Sequence, residues 1–372
     1  MSAVQFRPEP PLMAHNKLFI DIRMDLIEEL RKNPFVLAPM AAITDCAFRS
    51  FMREMGAGIV TTELVSATGL RHSSEKTRRI MQFTPDQHPV GVQLFGDNLD
   101  DLQLAAKDVE QMGANFVDLN FGCPVQKVVK KGAGSAALKD LVHFRDILRA
   151  VKSATQLPVT IKVRTGWDYS SRNTDQVAQI AYDEGITWVA IHGRTRAQAY
   201  EGEADWNYIA EVKSNAPLPI IGNGDVTSAQ KACTRLKESG CDAVMIGRGC
   251  LKNPWIFQEA QALWSQQEAS GRPGAPVGGD GRSIQRDFVW MIERLRFHLE
   301  SFWDERMIAL QAKKFAAWFS TGYPGAAQFR KGVFQIKTKV EVFEYILNYL
   351  DSIREHAQID TSHERFLMGG HG

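Results

Sequence analysis

The repetition of short apolar runs is the feature that most constrains the fold of this chain. Eight β-branched runs recur at intervals of about 20 to 40 residues, and segments with apolar residues at helical spacing separate them. The runs cover residues 35–40, 58–64, 90–96, 116–122, 159–166, 188–195, 219–225 and 243–249. Strands that alternate with helices form parallel β/α units. Eight units predict a closed (β/α)8 TIM barrel, and an open doubly wound sheet is the alternative.

The chain is long enough for a second domain after the barrel. A barrel takes about 250 residues, and this chain has 372. Residues 283–354 carry a helical pattern without strand-like alternation, and a Gly/Pro-rich stretch (270–281) precedes them. We therefore expect an N-terminal tail with a short helix (1–33), a barrel (34–268), a linker (269–282), an all-α domain (283–356) and a C-terminal tail (357–372).

Composition excludes several classes of protein. No apolar run approaches the ~20 residues of a membrane span, and acidic residues interrupt the N-terminal stretch where a signal peptide would need an apolar core. The five cysteines include no CxxC pair and no Cys/His cluster, so no metal site is predicted, and Cys233, Cys241 and Cys250 are interpreted as core residues. We expect a cytoplasmic protein with no membrane contact and no obligate protein partner.

Polar side chains stand at the carboxyl ends of almost all the predicted strands. TIM-barrel enzymes place their active sites at this end, whereas a purely structural barrel has no reason for so many polar groups there. The positions are Met40, Glu63, Gln93, Asn120, Lys162, His192, Asn223 with Asp225, and Arg248. The pattern indicates an active site at one mouth of the barrel.

The last two strand ends are typical of a phosphate site. The seventh strand ends in Gly222-Asn223-Gly224-Asp225, and the eighth ends in Gly247-Arg248-Gly249. Glycines let backbone N–H groups approach an anion, and an arginine adds a charge-assisted hydrogen bond. Two tight turns that need positive φ are the alternative.

Lys162 and Cys123 are the candidate reactive residues. Alternation places Lys162 inside the barrel, where a buried ammonium needs a partner such as a cofactor carbonyl or an anionic flavin ring. Cys123 follows the fourth strand and begins a long loop, which favours a binding or catalytic role over a small buried hydrophobe. The unperturbed pKa of a thiol, near 8.5, suits a general acid at neutral pH better than a thiolate nucleophile.

Seven co-linear motifs in the barrel resemble the tRNA-dihydrouridine synthases, and the bacterial B-type subgroup is the most similar. The motifs are APMAAITDCAFR (38–49), QLFG (93–96), DLNFGCPVQKV (118–128), IKVRTGW (161–167), IHGRTR (191–196), GNGD (222–225) and IGRG with NPW (246–255). The likeness continues more weakly through AKKFAAWF (312–319) and QFRKG (328–332).

The resemblance implies an activity and a set of site residues. The family reduces uridine in folded tRNA to 5,6-dihydrouridine. NADPH reduces FMN, whose N5 hydride goes to C6 of uracil, and the cysteine that matches Cys123 protonates C5. The positions that match FMN contacts are Ala38, Pro39, Met40, Gln93, Lys162, His192, Asn223, Gly224, Asp225, Gly247 and Arg248. The positions near the substrate are Asn120, Arg164, Arg194 and Arg196.

Two basic segments favour an RNA substrate. Residues 306–340 contain seven Lys or Arg and no acidic residue. Aromatic residues are interleaved with them, and we expect most of these to belong to the hydrophobic core. Lys313, Lys314, Arg330 and Lys331 are the predicted tRNA contacts, and a solvated helix face is the alternative. The loop after Cys123 adds Lys127, Lys130, Lys131 and Lys139. The target uridine would be turned out of its stack into the site.

Two other functions remain open at this stage. An FMN barrel that oxidises a small dihydropyrimidine or dihydroorotate would share the phosphate site but would not explain the basic helical segment. A non-enzymatic RNA-binding protein would explain the basic segment but would not need Cys123 and Lys162. The sequence does not predict the modified position, the oligomeric state or the choice between NADPH and NADH.

Overall fold

Parallel strands form a closed ring at the centre of the molecule. The computed structural model describes residues 24–72, 74–269 and 286–359, with the side chains of 267–269 left out. The strands are β1 (Phe35–Leu37), β2 (Val60–Thr61), β3 (Val65–Ser66), β4 (Val90–Phe95), β5 (Phe116–Phe121), β6 (Val159–Arg164), β7 (Val189–His192), β8 (Ile220–Asn223) and β9 (Ala243–Ile246). All pairings are parallel, in the order β1-β9-β8-β7-β6-β5-β4-β2, and β3 pairs with β4 beyond β2.

Two backbone hydrogen bonds close the ring between its first two strands. The Leu37 N–H donates to the Ile59 carbonyl at 2.9 Å, and the Gly58 N–H donates to the Phe35 carbonyl at 2.8 Å. The predicted (β/α)8 barrel followed by a helical domain is confirmed. Each of the eight apolar runs contributes one strand of the ring, whereas β3 begins directly after the second run (58–64) and was not predicted.

Helices surround the barrel and then form the second domain. The barrel helices are α1 (Leu26–Lys32), α2 (Cys46–Glu54), α3 (Ala67–Arg71), α4 (Glu75–Met81), α5 (Leu99–Gln111), α6 (Gln126–Val129), α7 (Leu141–Ala154), α8 (Thr174–Asp183), α9 (Trp206–Asn215), α10 (Ala229–Ser239), α11 (Gly249–Lys252) and α12 (Ile256–Ala269). The later helices are α13 (Phe288–Phe302), α14 (Glu305–Phe319), α15 (Ala326–Val333) and α16 (Lys339–Ile353). Within the described ranges, none of the helices has the length and apolar character of a membrane span.

Local sequence signals explain where the predicted helices begin and end. The Asn98 side chain accepts from the Asp101 N–H and caps α5, and the Ser228 side chain caps α10 in the same way. Helix α10 ends at Gly240, whose φ of 63° is the left-handed conformation that favours glycine. These caps set the lengths of the helices between neighbouring strands.

The amino end of the barrel is filled with apolar side chains. Leu26 and Leu30 of α1 belong to the same buried cluster as Phe116, Trp188 and Ile221 of the barrel. Helix α1 therefore covers this end, and the opposite end remains for polar side chains. The tail before residue 24, the predicted linker over 269–282 apart from Ala269, and the C-terminal tail from residue 360 lie outside the described residues.

The helical domain packs directly on α2 of the barrel. Phe315 of α14 stacks on Phe48 of α2, with ring centroids 4.6 Å apart. Glu54, at the end of α2, accepts hydrogen bonds from Arg294 at 2.6 Å and His298 at 2.7 Å, both on α13. An aromatic contact and an ion pair thus join the two parts of the molecule along α2.

Candidate active site

The register of the sheet brings polar side chains from neighbouring strands to the same level inside the barrel. Asp118 of β5 lies opposite Gln93 of β4 and Thr160 of β6, and Asn120 lies opposite Lys162 one layer higher. The Asp118 carboxylate accepts from Gln93 Nε2 at 2.7 Å and from Thr160 Oγ1 at 2.6 Å. Burial raises the pKa of Asp118, and these two donors oppose that rise.

Asn120 connects this layer to the loop that carries Cys123. Its Nδ2 donates to Gln93 Oε1 at 2.8 Å, while its Oδ1 accepts the N–H groups of Gly122 at 3.2 Å and Cys123 at 2.9 Å. The Cys123 carbonyl in turn accepts from the N–H and the hydroxyl of Ser135. The backbone of Cys123 is therefore held on both sides.

The Cys123 thiol is half-buried at the carboxyl end of β5. Burial raises its pKa above the ordinary thiol value, and the positive charge of Arg164 opposes that rise more weakly. A thiol with a raised pKa stays protonated at neutral pH. This state suits a proton donor and argues against a standing thiolate.

Lys162 and His192 are two basic side chains of the barrel interior whose pKa values are lowered. Lys162 Nζ donates to Asn223 Oδ1 at 3.2 Å, and Asn223 Nδ2 donates to the Met245 carbonyl at 2.8 Å. Burial and, to a smaller extent, the nearby Arg164 lower the pKa of Lys162 to about 8. Burial, together with the same cations, lowers the pKa of His192 well below its ordinary value, so this imidazole is neutral at pH 7.

Three glycines of the predicted phosphate site differ in whether the protein itself requires a glycine there. Gly224 has a φ of 132°, and a Cβ there would lie 2.5 Å from the Ala204 Cβ. At Gly249 a Cβ would lie 2.1 Å from the Val226 carbonyl oxygen. A Cβ at Gly247 would meet only Ala38 and Met40, at 3.6 and 3.7 Å. The turn alternative therefore accounts for Gly224 and close packing for Gly249, whereas neither requires glycine at Gly247.

Arg194 is occupied by groups of the protein itself. Its guanidinium makes a bidentate pair with Asp225, with both N–O distances 2.8 Å, and donates to the carbonyls of Glu201 and Gly202. The Asp225 carboxylate also accepts the Ala204 N–H at 2.7 Å. Arg194 and Asp225 thus join the loop after β7 to the loop after β8.

Arg164 performs a similar structural task on the neighbouring strand. It is 3% exposed and donates to the carbonyls of Gly122, Thr195 and Ala199 at 2.7–3.0 Å. Arg196 lies over the Trp167 ring at 4.5 Å. Of the four positions predicted near the substrate, Asn120, Arg164 and Arg194 therefore already bind loop or strand groups that shape the mouth.

Arg248 lies at the mouth beneath an exposed aromatic ring. Its guanidinium is 4.9 Å from the ring centre of Tyr200, which is 43% exposed. Backbone carbonyls on both sides of Tyr200 bind buried arginines: Ala199 binds Arg164 and Glu201 binds Arg194. Hydrogen bonds on both sides of Tyr200 therefore hold its ring over Arg248. Nothing in the sequence pattern marked Tyr200.

The first strand end is held by the helical domain. After β1, the Ala38 N–H donates to the Ile246 carbonyl, and the Met40 N–H donates to Thr44 Oγ1, both at 2.9 Å. Lys314 Nζ of α14 donates to the Ala42 carbonyl at 3.0 Å, and the Ala42 N–H donates to the Glu63 carboxylate. Pro39 lies in the same loop, so all three positions predicted from the first strand meet the mouth.

The four predicted tRNA contacts fall into two pairs. Lys313 donates to the Ile336 carbonyl and Lys314 to the Ala42 carbonyl, so both are engaged within the protein. Arg330 and Lys331 lie on α15, where Lys331 is exposed, and neither makes an ion pair with any described residue. The exposed part of the basic segment is therefore smaller than its sequence indicates.

Asp118 is the main interior residue that sequence reasoning missed. It stands two residues before Asn120, and strand alternation places both on one face, so the pattern could have revealed it. Thr160 stands two residues before Lys162, so the same alternation places it on the inner face, beside Asp118. The hydrogen bonds among them depend on the register between strands, which one sequence does not show.

Comparisons with known proteins show the family of this chain. Residues 36–358 match the family described as Dihydrouridine synthase (Dus). The chain is 35% identical over 328 residues to a probable tRNA-dihydrouridine synthase of Rickettsia conorii, covering 88% of this chain and 96% of that protein. It is 39% identical over 298 residues to tRNA-dihydrouridine synthase B of Pseudomonas aeruginosa, covering 80% and 87%.

A third relative matches a similar share of the chain. The chain is 35% identical over 322 residues to tRNA-dihydrouridine synthase B of Shewanella oneidensis, and the match covers 87% of this chain and 97% of that protein. The family match over residues 36–358 spans both the barrel and the helical domain. This chain is an enzyme of the dihydrouridine synthase family.

Proposed function

We propose that this chain uses NADPH and FMN to reduce uridine in tRNA to 5,6-dihydrouridine, with Cys123 as the general acid. One observation carries the proposal: the half-buried Cys123 thiol, whose pKa burial raises, stands at the barrel mouth and its backbone is joined through Asn120 and Gln93 to the polar interior. The tRNA substrate comes from the names of the relatives, and a tRNA-modifying enzyme would act in the cytoplasm.

The residues at the mouth fit a flavin mononucleotide. Gly247 is next to Arg248, and neither its φ nor its packing explains the absence of a side chain, as an approaching phosphate would. Lys162 is a buried cation with one neutral hydrogen-bond acceptor, Asn223 Oδ1, which suits an anionic or carbonyl group in the interior. We propose that the loop after β1, Gln93, Lys162 and His192 hold the ring.

The phosphate would lie at the ends of β8 and β9. The backbone of Asn223, Gly224 and Asp225 and the Gly247–Arg248 pair would surround it. The Asp225 carboxylate itself pairs with Arg194, so its contribution would come from its N–H. When bound, FMN would supply the hydride that reduces the C5–C6 double bond of uracil.

The chain's own groups would provide the proton and the orientation. The hydride would reach C6, and Cys123 Sγ would give its proton to C5, after which solvent restores the thiol. Asn120 holds the Cys123 backbone, and Arg164 fixes the neighbouring Gly122 carbonyl. A neutral His192 can donate a hydrogen bond without adding a third charge beside Lys162 and Arg164.

Two measurements on the purified protein test this function. The protein should be yellow with one FMN per chain, and under anaerobic conditions NADPH should bleach the flavin. Unmodified tRNA should then restore the flavin absorbance while dihydrouridine forms. If tRNA has no effect and the flavin instead reacts with free uracil or with dihydroorotate, the barrel acts on a small-molecule substrate.

A further inference from the structure

A continuous chain of hydrogen bonds runs from the barrel interior to the backbone of Cys123. It begins at Asp118, passes through the amides of Gln93 and Asn120, and ends at the N–H groups of Gly122 and Cys123. The four links measure 2.7, 2.8, 3.2 and 2.9 Å. Asp118 is 4% exposed and Gln93 is 1% exposed, so water does not compete for these groups.

The two ends of the chain fix the direction of every link. A backbone N–H only donates, and each Asp118 oxygen faces a donor, Gln93 Nε2 or Thr160 Oγ1. The Gln93 amide must therefore turn its Nε2 toward Asp118, which leaves Oε1 for Asn120. Asn120 must then turn its Nδ2 toward Gln93, which leaves Oδ1 for the two backbone N–H groups.

Thr160 holds the starting point of this chain but is not part of it. Its hydroxyl donates to the other oxygen of Asp118 at 2.6 Å. Loss of this bond would weaken the carboxylate's support and leave the path through Gln93 and Asn120 intact. Thr160 is therefore the natural control position.

We propose that Asp118 is a positioning residue for the proton donor of the reaction. By accepting from Gln93, it orients both amides so that Asn120 Oδ1 holds the backbone of Cys123 at a fixed place in the mouth. The inference rests on the proposed function of Cys123 as the general acid. It assigns no contact between Asp118 and the substrate.

A purely structural role for Asp118 predicts a different outcome. Burial of a hydrogen-bonded carboxylate would affect stability, and its loss would lower the amount of folded enzyme without changing the rate per active site. A positioning role predicts a slower proton transfer at saturating tRNA in correctly folded enzyme. A displacement of about 1 Å at a reacting group can cost roughly 100-fold in rate.

The experiment compares Asp118→Leu, Asp118→Asn and Thr160→Val in the full-length, FMN-loaded enzyme. Flavin reduction by NADPH and reoxidation by unmodified tRNA are followed separately at the flavin absorbance. Asp118→Leu removes the acceptor and should slow reoxidation at saturating tRNA by roughly 10- to 100-fold. Its apparent tRNA affinity should stay near wild type, and its reduction by NADPH should slow much less than its reoxidation, because Gln93 also belongs to the proposed flavin site.

The two other variants distinguish the chain from simple burial. Asparagine can turn its oxygen toward Gln93 and its NH2 toward Thr160, so Asp118→Asn should react with tRNA near the wild-type rate. Thr160→Val should also react near that rate. If Asp118→Leu is insoluble, Asp118→Ser, whose hydroxyl is too short to reach Gln93, should show the same slow reoxidation.

Each remaining outcome overturns a defined statement. Wild-type reoxidation rates in Asp118→Leu or Asp118→Ser would remove Asp118 from the reaction. Equally slow Asp118→Asn and Asp118→Leu would show that charge, and not the oriented chain, is required. Failure of the wild-type enzyme to react with tRNA, or full activity of Cys123→Ala, would instead overturn the proposed function.

Discussion

At the scale of single residues, Cys123 separates the two halves of the proposed reaction. Flavin reduction needs no proton donor beside uracil, whereas uridine reduction does, and a positioned general acid contributes about 10²–10⁴-fold. Cys123→Ala should therefore bind FMN and be reduced by NADPH normally, but its reduced flavin should persist when tRNA is added. Cys233→Ala, a buried cysteine on α10, is the control. Rapid reoxidation of the Cys123→Ala flavin would make Cys123 structural.

The pH dependence of the same step follows from the raised pKa of Cys123. A general acid works only in its protonated form, and burial keeps this thiol protonated above the ordinary thiol pKa. Reoxidation by tRNA should therefore be flat through neutral pH and fall as the pH rises through the pKa of Cys123. Stopped-flow rates of reoxidation measured from neutral to alkaline pH test whether the rate falls. A rate that rises across this range would indicate a thiolate mechanism.

Arg248 tests the phosphate end of the site. A charge-assisted hydrogen bond contributes roughly 1.5–3 kcal/mol, so Arg248→Ala should weaken FMN binding by roughly 10- to 100-fold. Tyr200→Leu removes the ring above Arg248 but keeps the guanidinium, and should cost less. Equilibrium titration of apoprotein with FMN gives both values. Unchanged affinity in Arg248→Ala would exclude it from the site.

The site was predictable in part because strand ends are visible in a sequence. Polar residues after apolar runs marked Gln93, Asn120 and Lys162, and the register has brought them to adjacent levels of one interior. The sequence did not show which of the predicted site residues already bind other groups of the protein. Arg164 and Arg194 bind loop carbonyls and Asp225, which depends on how loops distant in sequence meet.

At the scale of elements, periodicity was enough for the barrel and insufficient for domain packing. Eight runs predict eight parallel strands because each β/α unit is a local pattern. The contact between α2 and the later helices joins residues more than 200 positions apart, such as Glu54 and Arg294. No local pattern encodes such a pairing.

Glu54 offers a test of this interdomain contact. Hydrogen bonds from Arg294 and His298 lower its pKa, although burial opposes them. A carboxylate whose pKa is lower in the folded state stabilises the fold at pH values above its unfolded-state pKa, which is near 4.3. This stabilisation is lost as the pH falls through the folded-state pKa. Glu54→Gln should therefore lower the free energy of unfolding by roughly 1–2 kcal/mol at pH 7 and by less in acid.

The matched control for that variant lies on the same helix pair. Glu293 of α13 is exposed and makes no ion pair with another described residue. Glu293→Gln should leave the denaturant midpoint near the wild-type value at both pH values. Equal midpoints for the two variants at pH 7 would show that the Glu54 pair adds nothing to stability.

At the scale of the whole molecule, net charge conceals the surface proposed to meet tRNA. The chain carries a net charge of only +1, yet residues 306–340 contain no acidic residue. The structure divides this segment: Lys339 pairs with Glu300 at 3.2 Å, and Lys314 supports the Ala42 loop. Arg330 and Lys331 remain on α15, beside Phe334, which is 52% exposed.

Reversal of Arg330 and Lys331 to Glu should weaken tRNA binding and leave NADPH oxidation unchanged. Each lost phosphate contact releases about one counterion fewer, so the slope of log affinity against log salt should fall by about two. Reversal of Lys107 and Lys237, exposed lysines on α5 and α10 of the outer wall, is the control and should leave the slope unchanged.

Adding Lys314→Glu should also disturb the FMN spectrum, because Lys314 holds the loop after β1. If Arg330→Glu/Lys331→Glu keeps the wild-type affinity and slope, α15 is a solvated helix face, and the basic loop after Cys123 must provide the phosphate contacts.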